Sequence, residues 1–367
     1  MSEPLSIYLN ALRVFAAMIV LVCHSAFLHF GETDLRSFIH HHDYASDAVM
    51  VFFVLSGFLI AHTAAKSNWR TYAFDRYTRI LSVAAPAVLL TLVFDRIGLF
   101  WAPEAYQTRW FSPASVEAHV FAALTFTSEW SFVSKTIGSN FPLWSLSYEA
   151  AYYVAFGLMM FTSGLARIAF VGVFALLAGV EALLLAPAWF MGAALYRLAR
   201  TNQRLSAAHV ILVIAPIPLY FLFLESGVRQ MLGALGDQLV LETIGRHVRF
   251  SDEYLWDLIV ALLFAAHLFG AAILASRLGS PALRVKSVVN WLAGGTFSLY
   301  VVHFPVLMLA NAFLFDHPEG FEKWAMLVGA AILVSYAFAW AFERRLVGFR
   351  ALIKGLSLRP TSPASTP

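Results

Sequence analysis

Apolar runs of about twenty residues recur from one end of this chain to the other, and few folds can absorb them. In hydrocarbon every backbone N–H and C=O must be paired within the segment, which a spanning α-helix alone achieves without a partner strand. The runs fall at roughly 7–30, 46–65, 80–101, 141–163, 166–185, 187–200, 207–225, 254–275, 290–314 and 323–343. With 60% hydrophobic and 13% charged residues and a mean hydropathy of +0.72, the chain is far more apolar than a soluble domain. The expected fold class is all-α, a polytopic integral membrane protein of about ten transmembrane helices. The run at 187–200 is the weakest, being short for an upright crossing. The stretch from Val116 to Trp130 is read as re-entrant or interfacial.

Charge gives the bundle a direction. With the N-terminus inside, inner loops and the tail hold sixteen Lys and Arg and the outer loops seven. That asymmetry satisfies the positive-inside rule and places both termini in the cytoplasm, an inner-membrane arrangement. An eleventh span would send the basic C-terminal end outside. Residues 1–347 form the expected transmembrane domain, and 348–367 a basic, disordered cytoplasmic tail rich in Pro, Ser and Thr at its end. No basic segment precedes the first run and Arg13 interrupts it, so that span is expected to stay rather than be cleaved. The net charge of +3 is not a nucleic-acid signature, and the single cysteine, Cys23, excludes an internal disulfide. Oligomeric state is not set by these features.

The first span carries Arg13 and His24. On an α-helix they lie roughly 16 Å apart and, after eleven steps of about 100°, on nearly the same face. An ionisable group at mid-membrane costs about 2.5–3.5 kcal/mol on insertion scales, so two on one stripe point to function. The orientation puts the cation toward the cytoplasm and the base toward the exterior. Asp47, near the outer end of the second span, could orient the imidazole of His24, with Asp43 as a competitor. Ser56-Gly57, in mid-span, allows close approach of another backbone.

Arg76 and Arg79 are three apart, on one face if helical, and guanidinium pairs bidentately with phosphate oxygens. Asn140 and Pro142 suit a helix start. Counted from there, Glu149 lies about 12 Å in, the depth of His24, which would allow a carboxylate–imidazole pair. Further on, Pro305 should kink its helix and free a carbonyl, and His303 reads as a structural hydrogen-bonder or cavity liner. Glu343 is expected to pair with a basic neighbour in sequence. The run His40-His41-His42-Asp43 lacks a fixed ligand geometry, and no metal site is expected. His62 and His267 sit singly among apolar residues and are expected to be satisfied by neighbouring helices.

Taken in order, Arg13 and His24 with ten residues between them, Phe52-Phe-Val-Leu-Ser-Gly-Phe-Leu-Ile60, Arg76-Tyr-Thr-Arg-Ile80, Leu143-Trp-Ser-Leu-Ser-Tyr-Glu149 with Tyr152-Tyr153, and Ser298-Leu-Tyr-Val-Val-His-Phe-Pro305 resemble the membrane acyltransferase-3 family. That resemblance spans nearly the whole chain. It implies an acyl-CoA donor, acetyl-CoA in the simplest case, arriving from the cytoplasm, no permanently bound cofactor, and a hydroxyl acceptor on a surface or exported glycan or lipid-linked sugar. By motif match His24 and Arg13 are the essential pair, His24 acting either as general base on the acceptor hydroxyl or as a relay that takes the acyl group first, with Glu149 or Asp47 as the acid. Arg76, Arg79 and Arg13 would hold the donor, and Trp144, Ser147, Tyr300 and His303 would lie near the acceptor. Met50 stands where members carry an acidic or polar residue, and Ala150 where many carry a second acid. The rival expectation is a transporter or flippase with no covalent chemistry, using the same polar residues for binding or proton coupling.

Overall fold

The structure is a computed structural model; it describes residues 1–28, 42–112, 116–130, 135–200, 204–279 and 281–357. Among these there is no strand, and one isolated bridge joins Ser112 to Gly138. The chain runs through α1 (Glu3–Leu28), α2 (Tyr44–Ala64), α3 (Trp69–Trp101), a short α4 (Val116–Thr125) and α5 (Trp144–Phe161). Then come α6 (Gly164–Ala178), α7 (Val180–Ala199), α8 (Ala207–Ile214), α9 (Pro216–Glu225) and α10 (Val228–Ile244). The last are α11 (Tyr254–Ala275), α12 (Leu283–Ala293), α13 (Thr296–Phe313), α14 (Phe321–Ala341) and α15 (Leu346–Ser357).

Eight helical segments are long and apolar enough to cross a membrane: α1, α2, α3, α7, α8 with α9, α11, α13, and α14 running on into α15. The protein is a multi-pass, all-helical membrane protein. Neither α5 nor the 15-residue α6 is among the eight; α6 reaches only about 22 Å against a core of about 30 Å. Its apolar side chains nevertheless face outward, Leu165 at 84% and Ile168 at 70% exposure, as they would against lipid. The ten-residue α4 is far too short to cross, in keeping with the interfacial reading of that stretch.

Several boundaries differ from expectation for identifiable reasons. The break between the fifth and sixth runs falls at Gly179, at φ 91°, a left-handed value that glycine adopts without penalty. Pro187 instead sits inside α7, which gains the length to cross. Arg76 and Arg79 belong to the 33-residue α3 rather than to a loop. Residues 346–357, most of them read as the start of a structureless tail, are helical; the Pro/Ser/Thr stretch from Arg359 lies outside the described residues, as do His40 and His41 of the histidine run. His42 is described, with its Nε2 3.4 Å from Glu225.

Two glycines bring α2 and α7 into backbone contact. A Cβ on Gly57 would lie 1.9 Å from the carbonyl oxygen of Trp189, and one on Gly192 2.0 Å from that of Val54. This is the small-residue helix packing that Ser56-Gly57 suggested. Pro305, inside α13, has no N–H for the carbonyl of Val301, and the Asn140 side chain supplies it, Nδ2 to O 2.9 Å. Asn140 therefore ties α13 to the entry of α5 instead of capping α5.

Candidate active site

Residues 141–144 are buried, so α5 begins inside the packed bundle. Irregular backbone at that depth is tolerated because protein surrounds it. Ser139 anchors this entry by donating its N–H and Oγ to Asp95 of α3, at 2.9 and 2.6 Å. Glu149 lines a different cavity from His24 and is bonded elsewhere, so the expected pairing with His24 does not form.

His24 is hydrogen-bonded to His303. Nδ1 of His24 is 2.7 Å from Nε2 of His303, and the two rings are stacked with centroids 5.0 Å apart. Nδ1 of His303 lies 3.0 and 2.8 Å from the carbonyl oxygens of Leu299 and Tyr300, one turn back on α13. Carbonyls only accept, so that nitrogen carries the proton and Nε2 of a neutral His303 carries the lone pair. His24 must then donate from Nδ1, and its own Nε2 is left as the basic nitrogen. The helix carbonyls thus fix the tautomer of one histidine, and through it that of the other. Phe141 and Phe304 pack around His24 with ring centroids at 5.1 and 5.7 Å.

Asp47 and Glu149 are both engaged elsewhere. Asp47 accepts from Tyr220 Oη at 2.6 Å and Trp256 Nε1 at 2.8 Å, and lies 3.5 Å from Arg229. Glu149 accepts from Ser56 Oγ at 2.5 Å and Tyr153 Oη at 2.7 Å. Trp189 Nε1 in turn donates to Ser56 Oγ at 3.2 Å, joining α2, α5 and α7 in one network.

The site residues divide between two cavities. One, of about 200 Å³, holds Arg13, Arg76, Arg79 and Glu149. Arg79 pairs with Glu343 at 2.7 Å, and Glu343 is fixed by the N–H and Oγ of Ser298 at 2.9 and 2.8 Å. Glu343 thus reaches across to α3 and not to its own basic neighbours, because the turn after α14 aims it inward. Among the described residues Arg13 makes no hydrogen bond or ion pair, Glu149 and Glu343 acting on it only through space, and Arg76 Nε is buried without a partner. The second cavity, of about 660 Å³, holds His24, Trp144 and a wall from α10 and α11. Val49 and Tyr300 line both, and so form the partition. Tyr300 is pinned there by Ser145 at 2.6 Å and the carbonyl of Pro142 at 3.3 Å. Ser147 joins neither group: it donates to the carbonyl of Phe126 and accepts from Glu129 N–H, so it holds the segment after α4.

Two parts of this site had no signal in the sequence. Arg229 of α10 is 3% exposed, binds Glu253 and the carbonyl of His42, and stands 3.9 Å from Asp43. Burial works to lower its pKa, but hydrogen bonding to Glu253 and the charges of Asp47, Glu253 and Asp43 together raise it. Burial raises the pKa of the Asp43 carboxyl, with Arg229 opposing. Asp257 of α11 is the other part, buried in the wall of the larger cavity.

The bundle thus gathers guanidinium groups on one side of a thin partition and a tautomerically locked histidine on the other. The chain belongs to the acyltransferase-3 family, whose profile, described as an acyltransferase domain, matches residues 6–344. It is 33% identical over 155 residues to acyltransferase MdmB of Streptomyces mycarofaciens, a stretch covering 41% of this chain and 38% of that protein. The match thus spans well under half the length of that relative. No solved structure matches the chain. Acyl transfer, and not solute transport, is therefore the activity of the family to which the site belongs.

Proposed function

We propose that the protein transfers an acyl group, acetyl in the simplest case, from acyl-CoA to a hydroxyl of a surface or exported glycan, exopolysaccharide, lipopolysaccharide or lipo-oligosaccharide. It would do so as a cell-membrane protein with ten crossings and both termini in the cytoplasm. The observation that carries this is the pair of cavities sharing Val49 and Tyr300, one with unpaired arginines and the other with His24. Arg13, Arg76 and Arg79 offer the charge and fork geometry that CoA phosphates require. Glu343 holds Arg79 extended into the cavity.

In this reading the acceptor hydroxyl approaches His24 from the larger cavity. Its O–H bond breaks, the proton passes to Nε2, and the oxygen attacks the thioester carbonyl carbon. The tetrahedral intermediate collapses with cleavage of the C–S bond, and the CoA thiolate leaves and takes up a proton. His303 accepts a hydrogen bond throughout and steadies the imidazolium. Protonation of His24 beforehand would remove the base, so the rate falls toward low pH.

Replacing His24 or Arg13 with Ala, checking membrane abundance and then measuring acyl groups on the surface glycan tests the assignment. Loss of acylation at normal protein level is expected. Unchanged acylation would contradict it.

A further inference from the structure

The larger cavity contains one carboxylate that the protein itself leaves unsatisfied. Asp257 is 1% exposed, its Oδ1 has no hydrogen-bond partner, and it lines the same cavity as His24. A buried acceptor without a donor is costly, and native structures retain one where something else supplies the donor. The nearby acids differ from it. Glu253, at the N-cap of α11, is held by Arg229 Nε at 3.1 Å, and Asp47 by Tyr220 and Trp256.

Aromatic rings form much of the remaining wall, beside Arg109, Arg229 and Arg249 and the acids Asp43, Asp252 and Glu253. Trp144 and Phe250 stack with centroids 4.8 Å apart and planes 1° from parallel, and Trp110 lies on Phe141 at 4.6 Å. Aromatic faces set among polar and charged groups, in a cavity of about 660 Å³, suit a small polar molecule. The carboxyl oxygen of Asp257 accepts from hydroxyls, and the neighbouring acids Asp252 and Glu253 disfavour a phosphate or carboxylate beside it. Four acids and three arginines line this cavity, whereas three arginines and only Glu149 line the smaller one, which favours anions.

We propose that this cavity is the acceptor subsite, and that Asp257 binds a neutral polyhydroxylated acceptor by receiving hydrogen bonds from hydroxyls beside the one presented to His24. The assignment rests on the acyl-transfer reading above. It makes Asp257 a binding residue and makes the acceptor a sugar ring uncharged at that position.

The test uses the full-length protein in detergent with acetyl-CoA, and two probes, methyl β-D-glucopyranoside and its glucuronate analogue. Thermal protection by CoA is measured first, then release of free CoA thiol. The neutral glycoside is expected to raise CoA release in a saturable way and the glucuronate to leave it unchanged. Asp257→Asn should raise the KM for the glycoside about tenfold or more with the KM for acetyl-CoA unmoved, and Asp257→Glu should recover part of the loss. Equal KM values for the glycoside in wild type and D257N would overturn the assignment. So would equal use of the glucuronate, or no effect of the neutral glycoside on protein that CoA protects. Absence of CoA protection in wild type would sink the donor reading, and this assignment with it.

Discussion

Substituting His303→Ala tests the tautomer argument most sharply. His24 would keep its place on α1 but lose the acceptor 2.7 Å from Nδ1. A buried donor left without a partner costs about 1–3 kcal/mol, and at about 1.4 kcal/mol per decade that is roughly 5- to 150-fold in rate. The imidazole can avoid that cost by moving its proton to Nε2, but this tautomer has no lone pair facing the acceptor and cannot act as base. Either outcome lowers kcat. The KM for acyl-CoA should stay within about twofold, because His303 lies away from the arginine cavity. His303→Gln, whose Oε1 can replace the lost acceptor, should recover part of the rate. The assay is CoA-thiol release by protein in proteoliposomes, with thermal unfolding as the control for folding. A kcat for H303A equal to wild type would refute the relay of hydrogen bonds from Leu299 and Tyr300 through His303 to His24.

Other perturbations follow from the same geometry. Arg76→Lys should raise the KM for acyl-CoA about tenfold with little change in kcat, since a point charge replaces a fork that can bind phosphate bidentately; initial rates against donor concentration measure it. Gly192→Leu forces a side chain into the carbonyl of Val54, where a Cβ alone would stand 2.0 Å away, and should destabilise the bundle by about 1–3 kcal/mol or more, read as lower membrane abundance and Tm. Asn140→Leu strips the donor from the Val301 carbonyl freed by Pro305 and should cost about 1–3 kcal/mol in thermal unfolding.

The parts of this protein legible in its sequence are those that one helix encodes alone. Arg13 and His24 declare themselves because an apolar run makes any charge conspicuous, and the spacing of Arg76 and Arg79 suffices to put them on one face. The family motifs then located the rest of the site within the chain. Partnership between helices is another matter. His303 lies 279 residues from His24, and Glu343 264 from Arg79, so their pairing depends on how α1, α3 and α13 cross, which no local pattern encodes. The depth of Glu149 along its helix does not name its partner: Ser56 of α2 and Tyr153 hold it, a choice set by how α2 and α5 cross. Asp257 gave no signal because an acid near the start of an apolar helix is the ordinary residue there. Its difference from Glu253 is the absence of a donor, which coordinates alone reveal.

In the proposed reaction, donor and acceptor meet at His24 from opposite faces of the membrane. Sealed inside-out vesicles from cells making the protein and its acceptor, given membrane-impermeant radiolabelled acetyl-CoA on the exposed cytoplasmic face, measure this directly. Label should appear on glycan inside the vesicles, protected from an added esterase until detergent opens them, and should vanish with His24→Ala. Label that the esterase removes from intact vesicles, or label that persists in H24A at normal protein abundance, would contradict the account.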